Sequence, residues 1–271
     1  MVAPDLIPPV PTGPFFLRGS VLNSASFSAN ALAPGELVTI FGNNLGPATL
    51  AVASPDAGTF PTQLSGTQVL FNNVAAPIIY TSAGAVSAVV PLSVVPQTFA
   101  DVVVEYQGNQ SPGVPIFVAS SAPGLFTSNS SGPGPAAVLN VDSVTGAVSL
   151  NTAQNPASAG GLIVAYVTGA GQTNPPSQDG VVATSAGGMA LPIEAGFNFA
   201  GAAGGMASTD CASYPGCRPV EVLYAGPAPG IVAGVTQVNM RLPSPLASGL
   251  YSLGISSGGI WSQWLATISI P

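Results

Sequence analysis

Prolines and glycines, 28 and 33 of them among 271 residues, cut this chain into short runs. None of those runs keeps a 3.6-residue apolar period for ten residues or more. Proline breaks helices and central strands, and both residue types favour turns. The runs between them are rich in Val, Ile, Thr and Phe, which suit half-buried strands. Hydrophobic residues make up 47% of the chain and charged residues 5%. Disorder requires low hydrophobicity, so these runs must be ordered. Many short ordered segments punctuated by turn residues imply an all-β sandwich or barrel.

The runs themselves read as strands. Residues 37–41 form a compact apolar and β-branched run closed by Gly42, Asn43 and Asn44. Residues 67–71 and 74–80 flank Asn72-Asn73, a hairpin turn signal. Residues 85–90, 101–106 (with Gly108-Asn109 as its turn) and 114–119 follow. Six or seven strands in one unit match an immunoglobulin-like sandwich.

The second half repeats the plan. LVTIFG, ending at Gly42, corresponds to IVAYVTG, ending at Gly169, an offset of 127 (169 − 42). Ile79-Tyr80 through Val90-Pro91 corresponds to Leu223-Tyr224 through Leu242-Pro243, where the offset has grown to 152 (242 − 90). The second unit therefore carries insertions, most obviously the Gly/Ala-rich residues 185–218. The expected organisation is an extended tail over 1–17, a sandwich over 18–122 and a second sandwich over 123–271 containing that insertion, with the boundary near Ser120. The length suits two domains.

The tail, MVAPDLIPPVPTGPFFL, cannot be a helix. Its Leu6, Ile7, Val10, Phe15, Phe16 and Leu17 are costly to leave in water, so the expectation is that its own domain or a neighbouring copy holds it. Donation of an extended segment to an open sheet edge does not close on itself and builds a filament.

Charge excludes several functions. Lysine and histidine are absent, the cations are Arg18, Arg218 and Arg241, and the net charge is −7. No basic patch exists for nucleic acid or anionic lipid. There is no Ser–His or Cys–His pair, no imidazole metal site and no Lys Schiff base. Asp101 and Glu105 share a strand face about 13 Å apart, too far for the roughly 5–9.5 Å of glycosidase pairs. No catalytic, cofactor or metal site is expected. Residues 74–95 are apolar but interrupted by Pro77, Gly84 and Pro91, so they read as strands and no transmembrane segment is expected. Cys211 and Cys217 flank Pro215-Gly216, and a local disulfide is favoured over two free thiols. It would contribute about 2 kcal/mol and point to an oxidising compartment. An export signal is expected to have been removed.

Seven phrases carry a resemblance: NSASF (23–27), LAPGELVTIFGNNLGP (32–47), APIIY (76–80), SAPGLF (121–126), YVTGAGQTNP (166–175), YAGPAPG (224–230) and TQVNMRLP (236–243). Together they resemble the acidobacterial Solibacter-type C-terminal domain of exported proteins, which is similar to paired IPT/TIG-type immunoglobulin-like domains. The resemblance covers about residues 20–271. It implies export and a pair of sandwiches, and it supplies no activity. The family has a Gln-Ile-Asn-like strand in both halves; here Gln237-Val238-Asn239 keeps it and Ala85-Val86-Ser87 does not.

Gln237 and Asn239 lie on one face of a strand and are candidate ligand contacts, against the alternative of bonding to a neighbouring loop. Trp261 and Trp264, three apart, should face opposite ways on a strand, so at most one can offer a sugar platform. Tyr214, in the cysteine loop, is a third such candidate. The sequence thus points to an extracellular structural protein that associates with copies of itself. The alternative is a surface adhesion or carbohydrate-binding module that takes surface glycans.

Overall fold

The computed structural model describes residues 12–199, 211 and 217–271. The first half carries β1 (Phe15–Asn23), β2 (Leu37–Asn43), β3 (Ala51–Val52), β4 (Thr67–Phe71), β5 (Val74–Ala75), β6 (Ile78–Thr81), β7 (Ala85–Val89), β8 (Phe99–Tyr106), β9 (Asn109–Gln110) and β10 (Val114–Phe117). The second carries β11 (Gly124–Leu125), β12 (Gly134–Pro135), β13 (Leu139–Val141), β14 (Val148–Leu150), β15 (Leu162–Thr168), β16 (Thr173–Asn174), β17 (Gly188–Met189), β18 (Ile193–Phe199), β19 (Arg218–Pro227), β20 (Val235–Arg241), β21 (Gly249–Ser257), β22 (Ile260–Trp261) and β23 (Ala266–Ile270). Among the described residues the helical element is one 3-10 turn, Leu92–Val94. The fold is an all-β immunoglobulin-like sandwich architecture.

In the first sandwich the sheet β1-β2-β7-β6-β3 packs on β10-β8-β4-β5. Strand β4 shows the driving pattern: Thr67, Val69 and Phe71 are buried while Gln68 and Leu70 are half-buried. Phe71 meets Ile40, Leu45, Ile78 and Val102 in the core. Each such side chain contributes about 1.5–3 kcal/mol on burial. Asn72 and Asn73 both take positive φ, 49° and 65°, as a two-residue hairpin turn of the primed kind requires. The turn after β8 uses Gln107 and Gly108, again both at positive φ, one residue earlier than Gly108-Asn109. Residues 74–80 do not make one strand. β5 stays beside β4, and after Pro77 the chain crosses so that β6 joins the other sheet.

Two residues assigned to the tail as assembly candidates are used within their own domain. Phe15 pairs with Asn43 and Phe16 with Gly42, and Phe16 is 4% exposed in the first core. Burial of Phe16 draws the tail's last residues into β1, so the first sandwich begins at Phe15 rather than at residue 18. Leu17 stays 62% exposed. Leu6, Ile7 and Val10 lie outside the described residues.

The chain leaves the first sandwich at Val118, which bridges to Leu32, and enters the second at β11. The second sandwich is one ladder folded on itself, β12-β23-β21-β18-β19-β20-β15-β13-β14. Strand β19 turns the corner: residues 218–220 pair with β18, and the rest pairs with β20. Strand β18 lies inside the stretch 185–218 that reads as an insertion. It contributes Ala195 and Phe197 to the second core, so that stretch is partly framework. The Gly and Ala residues on either side of the strand hid it.

The repeat is visible in the ladders. In the first sandwich Thr39 pairs with Ser87 and Ser87 with Tyr80. In the second Val164 pairs with Asn239 and Asn239 with Tyr224. Both copies slip register at the residue before the tyrosine, Ile79 and Leu223. The ladders align Thr39 with Val164, an offset of 125 (164 − 39) and two short of the sequence alignment, which leaves every side chain on its expected face.

Candidate functional site

Most of the recurring phrases converge where the two sandwiches meet. Asn23 is the hub. Its Nδ2 donates to Glu36 Oε1 at 2.8 Å and to the Ala122 carbonyl at 3.1 Å. Its Oδ1 accepts from the amides of Ala25 and Ser26, both at 3.0 Å. Glu36 Oε2 accepts from the Ala33 amide at 2.8 Å. NSASF, LAPGE and SAPG are thus three sides of one hydrogen-bonded knot. Thr168 makes a second knot. Its hydroxyl accepts from the Leu37 amide at 2.7 Å and donates to the Gly234 carbonyl at 2.8 Å. Asp179 accepts from the Leu92 amide at 2.8 Å. Phe60 donates to Gly180, and Val182 to Gly58, in a strand-like bridge between the halves. Beneath these bonds lies a third apolar core. Leu37 and Val89 from the first sandwich meet Ala228, Val232 and Val235 from the second, with Phe60, Ile79, Phe126 and Tyr166 at its rim.

Glu36 is 1% exposed. Burial is the largest influence on its carboxyl and pushes the pKa up to about 8, against the opposing bonds from Ala33 and Asn23. No motif in the sequence marks Glu36 as a site residue. The available signal was its isolation: Glu36 is the sole carboxylate between Asp5 and Asp56, and it directly precedes an apolar run.

The candidate ligand contacts fare differently. Gln237 and Asn239 do share the outer face of β20, and Gln237 Nε2 donates to Asn239 Oδ1 at 2.8 Å. Tyr166 and Gly226 flank Gln237, and Val164 and Tyr224 flank Asn239. Trp261 and Trp264 do not face opposite ways. Strand β22 ends at Trp261, and Trp264 sits in the following turn, so the rings meet at 5.1 Å with 40° between planes. Both indole N–H groups are buried without a partner among the described residues, as is the Ser256 hydroxyl. Trp264 lies against Gly254, where a β-carbon would come within 2.5 Å of Trp264 Cζ2. Gly254 pairs with Gly196, and over Gly196 lies the Cys211–Cys217 disulfide. The tryptophans therefore pack in the region of the disulfide, both of them half-buried. Tyr214 lies outside the described residues.

Asp101 and Glu105 remain four residues apart on β8, and Glu105 accepts from Gln110 at 3.0 Å. Among the described residues, those that line a surface pocket of about 300 Å³ between Thr173 and Gly187, with Pro227 and Ala233, include no titratable side chain. Among the described residues no group of His, Cys, Asp and Glu is placed to hold a metal, and no helix is long and apolar enough to cross a membrane.

One exposed surface combines charge with aromatic area. Strand β1 is an edge strand, and its residues 17–20 take no partner in the β2 ladder. Arg18 projects from this bulge over Phe117, 5.1 Å from the ring centre. Phe117 stacks on Phe99 at 4.3 Å. Both rings are nearly half exposed, at 49% and 44%. Beside them opens a groove of about 530 Å³ lined by Arg18, Gly19, Ala29, Asn30, Ile116 and Phe117, among others.

No curated protein matches the chain. Residues 21–127 match the family model described as the IPT/TIG domain. Domains of that kind are often extracellular or cell-surface, adhesion-type and typically non-enzymatic, and the disulfide is consistent with an oxidising compartment. The match supports an IPT/TIG-like immunoglobulin fold for the first sandwich.

Proposed function

We propose that this chain is an extracellular structural module that associates with copies of itself. The observation that carries this reading is the exposed Leu17 and Phe117 on β1 and β10, the edge strands of the two sheets, with the exposed Phe99 beside Phe117 on β8. Edge strands invite pairing unless charge or covering blocks them, and the charge that β1 carries, Arg18, is drawn over the Phe117 ring. Low charge favours association, since contacts bury without desolvating ions. The locked junction adds stiffness, so that an assembly transmits geometry from one copy to the next. Sedimentation velocity across a wide concentration range tests it. Growth of larger species with concentration is the expected result, and a monomer throughout overturns the reading.

A ligand-binding adhesion module is the second reading. Its support is the half-buried Gln237–Asn239 pair between Tyr166 and Tyr224. Glycan-array binding that disappears with Asn239→Ala is the result that would favour it.

A further inference from the structure

Among the described residues the groove beside Arg18 has one charge in its lining, and that charge is positive. The chain as a whole is at −7 with three cations. Among the described residues Arg241 pairs with Glu221 at 3.3 Å, while Arg18 meets no carboxylate. Its guanidinium is instead held over Phe117. Stacking fixes its orientation and leaves its N–H donors to a further acceptor. The rest of the surface suits an extended, apolar, proline-bearing segment: two exposed rings, small residues at Gly19, Ala29 and Ala31, and an unladdered stretch of edge strand. Aromatic grooves take proline-rich segments because such segments lose little entropy on docking.

The chain itself contains one segment of matching chemistry. Residues 2–11, VAPDLIPPVP, hold four prolines, five aliphatic side chains and one charge, Asp5. The point of departure is also informative. The Gly13 carbonyl accepts from Asn44 at 3.4 Å, and Gly13 lies beside Asn109. Asn109 pairs with Tyr106 at one end of β8, whereas Phe117 pairs with Phe99 at the other. Those ends are about 23 Å apart. The segment thus leaves the first sandwich at the opposite end of the sheet from the groove.

We propose that the Arg18–Phe117 groove receives residues 2–11 of a second copy of the chain, with Asp5 set against Arg18 and the proline and aliphatic side chains against Phe117 and Phe99. One end of each copy then feeds the far end of the next, a head-to-tail contact that does not close and so extends into a filament. This inference rests on the self-association proposed above and names its interface.

Charge reversal tests it on the full chain. Asp5→Arg and Arg18→Asp are exposed-surface or tail changes, and circular dichroism checks that both variants fold. Each variant alone sets like charges together, and its apparent dissociation constant should rise at least about tenfold. Mixing the two in equal amounts restores opposite charges at both contacts. The tail of the Asp5→Arg chain then meets the groove of the Arg18→Asp chain, and the unaltered Asp5 of the latter meets the unaltered Arg18 of the former. Sedimentation should recover association to within about threefold of the unaltered chain. If the unaltered chain is monomeric at every concentration, self-association fails and this interface with it. If the unaltered chain assembles and both variants assemble equally well, the groove is overturned while self-association stands. Loss of association in each variant without recovery on mixing also overturns the intermolecular contact, because the segment then serves its own copy.

Discussion

Asn23 donates its side-chain amide to the Ala122 carbonyl at 3.1 Å, across 99 residues of sequence. The same nitrogen binds Glu36, so one amide joins the start of the first sandwich, its buried carboxyl and the connection to the second. Such a knot favours a single arrangement of the two halves, because a partly satisfied buried network costs more than none.

Asn23→Ala should therefore cost more than an ordinary surface change. It strands the Ala25 and Ser26 amides and removes a donor from Glu36 and Ala122. The expected loss is at least about 3 kcal/mol, from several unsatisfied groups at about 1–3 kcal/mol each. Urea unfolding measures it. A loss under about 1 kcal/mol would show that water replaces the knot.

Thr168→Val probes the second knot with little change of shape. It leaves the buried Leu37 amide without its acceptor and the Gly234 carbonyl without its donor. Stability should fall by about 1–3 kcal/mol, and exchange at the Leu37 amide should accelerate. Thr168→Ser retains the hydroxyl and should restore slow exchange. Fast exchange in both variants would show that the hydroxyl bond does not by itself protect the Leu37 amide.

Much of this architecture could be read from residue order, for reasons that differ by region. Thr67–Phe71 is a compact β-branched and apolar run bounded by an Asn-Asn turn, so local rules are sufficient. Strand β18 does not, because its neighbours are Gly and Ala and its burial depends on β19 and β21 arriving from elsewhere. The repeat of apolar-Tyr before a strand is legible, but the shared register slip at Ile79 and Leu223 needs the ladders. The junction phrases stand out in the sequence, yet their role does not. Asn23, Glu36 and Ala122 are brought together by chain crossing, and no spacing rule links them. Trp261 and Trp264 misled because β22 stops after two residues, so the alternation rule had no strand to act on.

Gly254→Ala should disturb the tryptophan pair. The added β-carbon would come within 2.5 Å of the Trp264 ring, and the ring or the β22 turn must move. Overpacking of this kind costs about 1–3 kcal/mol. Tryptophan fluorescence should shift to the red as the indoles gain water. An unchanged spectrum together with unchanged stability would mean that the ring lies farther from β21 than the packing indicates.

Glu36 gives the junction a defined pH response. Its carboxyl ionises near its ordinary value of 4.5 in the unfolded chain and at about 8 in the folded one. Between those values the folded state holds a proton that the unfolded state has released. Stability linked to Glu36 is therefore fully present below about 4.5 and declines as pH rises toward about 8. The slope approaches about 1.4 kcal/mol per pH unit within that window. Above it the buried carboxylate is charged, with Asn23 and Ala33 as its hydrogen-bond donors. Glu36→Gln keeps the shape and stays neutral, so it should remove the slope and exceed the unaltered chain in stability at pH 9. Urea midpoints from pH 5 to pH 9 for both chains decide the matter. Parallel curves would place the carboxyl within reach of water and return its titration to the ordinary range.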